Sequence, residues 1–132
     1  MKRRMLASAK RRARGTLLTQ RASILAAFKA RLGTSAFVYE EAQSMRRIDA
    51  AVFMDERDCE RRAEREDEIY GETDGNQIWI NPWCDSMEME RTLLHEALHD
   101  AVKLERPTRS GDFKTLTENA EHAVMQELPY CI

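Results

Sequence analysis

The sequence predicts a small α+β protein. A small antiparallel or mixed sheet is expected, with an edge strand packed on a helix that carries an HExxH stretch, followed by a helix able to supply a further ligand. Three observations predict this. The 132 residues are 42% apolar and 33% charged, which fits one globular domain with a modest core. Residues 77–81 alternate in polarity. Residues 86–105 and 115–128 place apolar side chains at spacings of three and four.

Charge divides the chain unevenly. Residues 1–39 carry ten Lys or Arg and no acid, whereas residues 40–132 hold eleven basic residues and all 23 acids, a formal −12. The expected division is therefore 1–39, a basic N-terminal arm and helix, and 40–132, the core. A polycationic block of this kind points to nucleic acid, or to an acidic protein contact that includes the chain's own body, through residues 1–31. Residues 1–14 are expected to be disordered or helical only on a partner. No run approaches the roughly 20 apolar residues of a membrane span, and no apolar stretch follows the basic start as in a secretory signal. Cys59, Cys84 and Cys131 have no CxxC spacing. Reduced thiols and a cytoplasmic setting are the simplest expectation, in a host cell or a virion if the chain is viral.

Residues 16–32 read as a helix with Leu17, Leu18, Ile24, Leu25, Phe28 and Leu32 on one face, closed by Gly33. Residues 48–54, IDAAVFM, read as a short buried strand, and 55–67 as a charged, exposed run. Asp74-Gly75 signals a turn before the strand Gln77, Ile78, Trp79, Ile80, Asn81, which Pro82 ends or confines to an edge. A helix is expected over 86–105, opened by an Asp85/Glu88 capping box, with Leu94, Leu98 and Ala101 on its apolar stripe and Leu93, Ala97 and Leu104 widening it. A loop over 106–114 leads to a last helix over 115–128.

The chemistry lies in RTLLHEALHD, residues 91–100. On a helix, positions four apart differ by about 40° around the axis, so His95 and His99 point the same way. Two imidazoles so placed can share one zinc ion at about 2.0–2.1 Å. Glu96 borders that position without binding and can act as a general base toward water. With 3 His in the chain, a shuffled sequence would contain HExxH about 0.005 times, so chance explains it poorly. A catalytic zinc needs a third protein ligand and an open position. Glu118, 19 residues after His99, leaves room for a turn and an antiparallel helix; Glu121, His122 and Asp112 are the alternatives, as ligands or as groups orienting a ligand.

At NQIWINP, LLHEALHD and LTENAEHAV the chain resembles the zincin metallopeptidases, within their small gluzincin-like group. The resemblance covers about the last 60 residues. It is shared with ImmA/IrrE-like peptidases, SprT-like proteins and short phage-encoded metallopeptidases. It implies a minimal zincin-like fold, one zinc ion, and hydrolysis of a protein or peptide substrate by activated water with Glu96 as base. It also implies that substrate pairs with the strand Gln77–Asn81. The ImmA/IrrE-like pattern places a glutamate ligand at the start of a following helix, which favours Glu118, although the AN pair of that pattern is missing from ENAEHAVM. The SprT-like pattern takes a third histidine at a distance where this chain has none. Such sites often add a Tyr or His to stabilise an oxyanion, and Tyr70, His122 and Tyr130 are the candidates. The alternative is a nucleic-acid-associated or virion structural protein in which zinc is mainly structural.

Overall fold

The computed structural model describes residues 2–33, 36–55, 70–74, 76–104 and 112–127, with the side chains of 112–116 and 118 excepted. Residues 106–111 of the expected loop, residues 56–67 of the charged run, Cys59, Cys131 and Tyr130 lie outside the described residues, whereas 112–114, expected in that loop, already belong to the last helix.

The chain is α+β, as expected. Its described elements are α1 (Lys2–Thr19), α2 (Arg21–Leu32), β1 (Phe37–Tyr39), α3 (Glu41–Ala50), β2 (Val52–Phe53), β3 (Gly71–Thr73), β4 (Ile78–Ile80), α4 (Ser86–Leu98), β5 (Val102–Leu104) and α5 (Asp112–Glu127).

The basic N-terminus departs from expectation. Lys2–Thr19 is one continuous helix whose Leu6, Ala9, Ala13 and Leu17 are buried, a stripe at steps of three and four that packs chiefly on α4. The alanines leave room for the two helices to approach closely. Residues 2–14 thus join the hydrophobic core that also holds Leu93, Leu94, Ala97 and Leu98 of α4. Their charge is partly spent on the acidic body. Arg12 Nε donates to Glu90 at 3.2 Å, Arg14 pairs with Asp49 at 3.1 Å, and Lys10 Nζ donates to the Asp49 carbonyl at 2.8 Å. Arg21 and Arg31 pair with Glu41 and Glu127. The helix expected over 16–32 is in fact the end of α1 and all of α2, joined at Gln20, so Leu18 and Leu25 face outward while Ile24, Phe28 and Leu32 are buried. Gly33 closes α2 at φ +63, where a side chain would be strained, and its N–H returns to the Lys29 carbonyl.

Two small sheets frame α4. In the first, β1 and β5 are antiparallel. In the second, the order is β2-β4-β3, with β4 parallel to β2 and antiparallel to β3, so this sheet is mixed. Ile78 and Ile80 are fully buried and α4 packs against β4 and β3. Gly71 brings β3 so close to α4 that a Cβ there would lie 2.2 Å from the Thr92 methyl. The strand expected over 48–54 is confined to Val52–Phe53, because Ile48 belongs to the buried face of α3 together with Ser44 and Arg47.

Helix α4 opens with the expected capping box. The Glu88 N–H donates to the Asp85 carboxylate at 2.8 Å, and the Asp85 N–H donates to Glu88 Oε1 at 3.0 Å. It ends earlier than expected, at Leu98 rather than near 105. Asp100 turns the chain at φ +59, and Val102–Leu104 leave to pair with β1. Val102 and Leu104 are buried and Lys103 is exposed, the alternation of a strand. No described helix is long and apolar enough to cross a membrane.

Candidate metal centre

The described site is built by α4 and α5. His95 is in the last turn of α4, and His99 follows its final residue, with extended backbone at φ −63 and ψ 132. The roughly one turn of chain between them still leaves both rings on one side, with their Nε2 atoms 3.2 Å apart. His122, on α5, completes the group. Its ring stacks on that of His95 at a centroid distance of 5.9 Å and meets His99 edge-on at 5.1 Å. One ring nitrogen from each of the three lies within 4.8 Å of the others.

This donor set fits a divalent metal with a preference for nitrogen ligands. Tetrahedral zinc with bonds of 2.0–2.1 Å requires ligand nitrogens about 3.3 Å apart. The His95–His99 pair already meets that spacing, and a His122 ring nitrogen lies within 4.8 Å of both. The His95 imidazole is held in its neutral, lone-pair form, its pKa pushed down to about 4 by burial first and then by the nearby His99 and His122 rings. His122 is exposed and the other two rings are half-buried, so one side of the group faces solvent.

Glu96 is 8% exposed and belongs to the buried face of α4 next to the histidines. Of the residues weighed as third ligand, the fold brings His122 to the pair. Glu118 lies one turn earlier on α5, and its side chain, like that of Asp112, is outside the described residues. Glu121 is 1% exposed and stands apart from the three histidines. It faces the turn at the end of α4 instead: backbone N–H groups of Asp100 and Val102 hydrogen-bond its carboxyl, while the Ala101 N–H donates to the Leu98 carbonyl at 3.2 Å. Burial, then the Asp100 charge, outweigh those bonds and push its pKa up to about 8.

The expected edge strand is corrected. β4 has a partner on each side, with Val52 opposite Trp79 and Glu72 also opposite Trp79, so Ile78–Ile80 is the central strand of its sheet. Its flanks are engaged as well. The Asn81 N–H donates to the Tyr70 carbonyl at 2.8 Å, Asn81 Oδ1 accepts from Trp83 N–H at 2.9 Å, and the Gln77 N–H donates to Asp74 at 2.8 Å. A substrate strand cannot be added to Gln77–Asn81 without displacing β2 or β3. Alternation identified a strand but could not say which neighbours it has. Tyr70 is exposed, near the start of β3, and the buried Cys84 thiol donates to the Tyr70 carbonyl at 3.6 Å.

Two groups near the site carried no role in the sequence reading. Ser44 Oγ donates to the Ala97 carbonyl at 2.9 Å, and Arg47 Nη1 donates to the His99 carbonyl at 2.7 Å. Both sit on the buried face of α3, one turn apart. The detectable signal was Ser44, Arg47 and Ile48 at helical spacing, hidden by reading 48–54 as a strand. Comparisons with models of protein families, with curated proteins and with solved structures found no match.

Proposed function

We propose that this chain is a zinc-dependent metallopeptidase whose metal is held by His95, His99 and His122, with Glu96 as general base. The observation that carries the reading is the meeting of three imidazole nitrogens within 4.8 Å, two of them from an HExxH stretch. Zinc, when bound, would supply a Lewis acid that acidifies water and polarises a carbonyl. The protein supplies the rest. His95 and His99 present lone pairs from the end of one helix, and His122 supplies a third from an adjacent helix. Glu96, on a buried face beside them, would accept the proton of attacking water and return it to the departing amine, which is general acid–base catalysis worth roughly 10²–10⁴-fold. The exposed side at His122 leaves an approach for a peptide.

The test is hydrolysis of unfolded protein by the zinc-loaded chain and by Glu96→Gln. Cleavage by the first and none by the second, at equal zinc content, supports the reading. Equal cleavage by both overturns Glu96 as base, and a chain that takes up no zinc overturns the centre.

A second reading concerns partners. Arg4 and Arg11 are exposed on the face of α1 opposite its buried stripe, with exposed Arg3 at its side, and among the described residues they enter none of the ion pairs between α1 and the acidic body. This face suits phosphate contacts without base stacking, because no aromatic lies on α1. Arg4→Glu with Arg11→Glu should abolish salt-sensitive binding to duplex DNA; unchanged binding removes the role.

A further inference from the structure

Helix α4 stops at Leu98, so the direction of the His99 ring depends on what holds the turn that follows. Two buried, polar side chains from different helices hold it. From α3, Arg47, 6% exposed, donates to the His99 carbonyl at 2.7 Å, and Ser44, one turn earlier, donates to the Ala97 carbonyl at 2.9 Å. These bonds take up carbonyls that a helix end leaves without partners, with the cation where the helix dipole is negative. From α5, the Glu121 carboxyl, 1% exposed, receives backbone N–H groups of Asp100 and Val102, while the Ala101 N–H between them donates to the Leu98 carbonyl at 3.2 Å. The turn is thus gripped on its carbonyl side by a guanidinium and on its N–H side by a carboxyl.

We propose that Arg47 and Glu121 are positioning residues that clamp the 98–102 turn so that His99 meets His95 and His122. This rests on the metal-centre reading above. Two observations favour positioning over mere filling. Glu121 directly precedes His122, so one turn of α5 both supplies the third imidazole and sets the second. Arg47 Nε and Glu121 Oε2 are buried with no hydrogen-bond partner, so these groups carry a desolvation cost that apolar side chains of the same size would avoid.

The test uses the full chain and cobalt(II) as probe, read by the visible absorption of the bound ion and by competition with zinc. Arg47→Met and Glu121→Met should weaken cobalt binding by roughly 10–100-fold and shift its bands, as losses around metal ligands do. Glu121→Gln, which keeps an acceptor, should bind within about threefold of the natural chain. Leu6→Ala, a core change on α1 toward the opposite end of α4 from the turn, should lower thermal stability but leave cobalt affinity unchanged. Should either Met variant fail to fold, Arg47→Gln and Glu121→Asp, which withdraw the polar group, carry the same expectation. Unchanged affinity in the clamp variants, or an equal loss in Leu6→Ala, overturns the proposal. A natural chain that takes up no cobalt overturns the metal centre itself, which is a different outcome.

Discussion

The Nε2 atoms of His95 and His99 lie 3.2 Å apart although the helix that carries the first ends before the second. A metal replaces that ring-to-ring contact only if a third donor is near, and among the described residues it is His122. His122→Ala should therefore abolish stoichiometric zinc binding, a loss larger than the roughly 10–100-fold of an outer contact. Glu118→Ala should retain zinc. Metal analysis after dialysis separates the two, and the opposite pattern would return the third ligand to Glu118.

Glu96→Gln tests the base separately from the metal. Zinc content should stay that of the natural chain while the hydrolysis rate falls by roughly 10²–10⁴-fold. A rate that fell in step with zinc content would make Glu96 a structural residue.

Glu121 gives the metal-free protein a distinctive pH dependence. Its pKa is raised to about 8 in the fold, chiefly by burial, against an unfolded value of 4.5. The folded chain then binds more protons than the unfolded chain between these values, so this contribution to stability is present below 4.5 and is lost as pH rises toward 8. His95 works oppositely: its depressed pKa removes stability as pH falls from 6.5 toward 4. Above pH 6.5 only the Glu121 effect remains of the two. Urea midpoints measured with a chelator should fall from pH 6.5 to 8, and Glu121→Gln should flatten that fall.

Gly71 tests the seat of β3 on α4. A methyl at this position meets the Thr92 methyl at 2.2 Å and the Trp79 carbonyl at 3.0 Å. Gly71→Ala should destabilise the protein by about 1–3 kcal/mol. Adding Thr92→Ser, which removes that methyl, should recover part of the loss, and the two changes should be non-additive in a double-mutant cycle.

The N-terminal helix makes a prediction about truncation. A chain beginning at Gly15 loses the buried Leu6, Ala9 and Ala13 and uncovers the face of α4 they pack on. It should melt well below the natural chain. A truncated chain of unchanged melting temperature would show that α1 is dispensable.

Much of the local structure was legible in the amino acids themselves. The Asp85/Glu88 box, the apolar steps Leu94 and Leu98, the glycine stop at Gly33 and the alternation around Trp79 each arise from interactions between residues close in sequence. The HExxH stretch belongs only partly to this class: its spacing predicts that His95 and His99 share one side, but the helix that carries the first ends before the second. Tertiary structure decided what depends on distant partners. Charge density at residues 2–14 suggested a free arm, but burial of Leu6, Ala9, Ala13 and Leu17 on α4 outweighs charge that Glu90 and Asp49 help to neutralise. Val102–Leu104 could extend a helix or form a strand, and only Phe37–Tyr39, more than 60 residues away, makes it a strand. The same pairing ends α4 at the second histidine, so the group that aims His99 is the distant pair Arg47 and Glu121, and the imidazole that meets it is His122 rather than one nearer in sequence. Periodicity records which way a side chain faces along its own element; packing between elements decides what it faces.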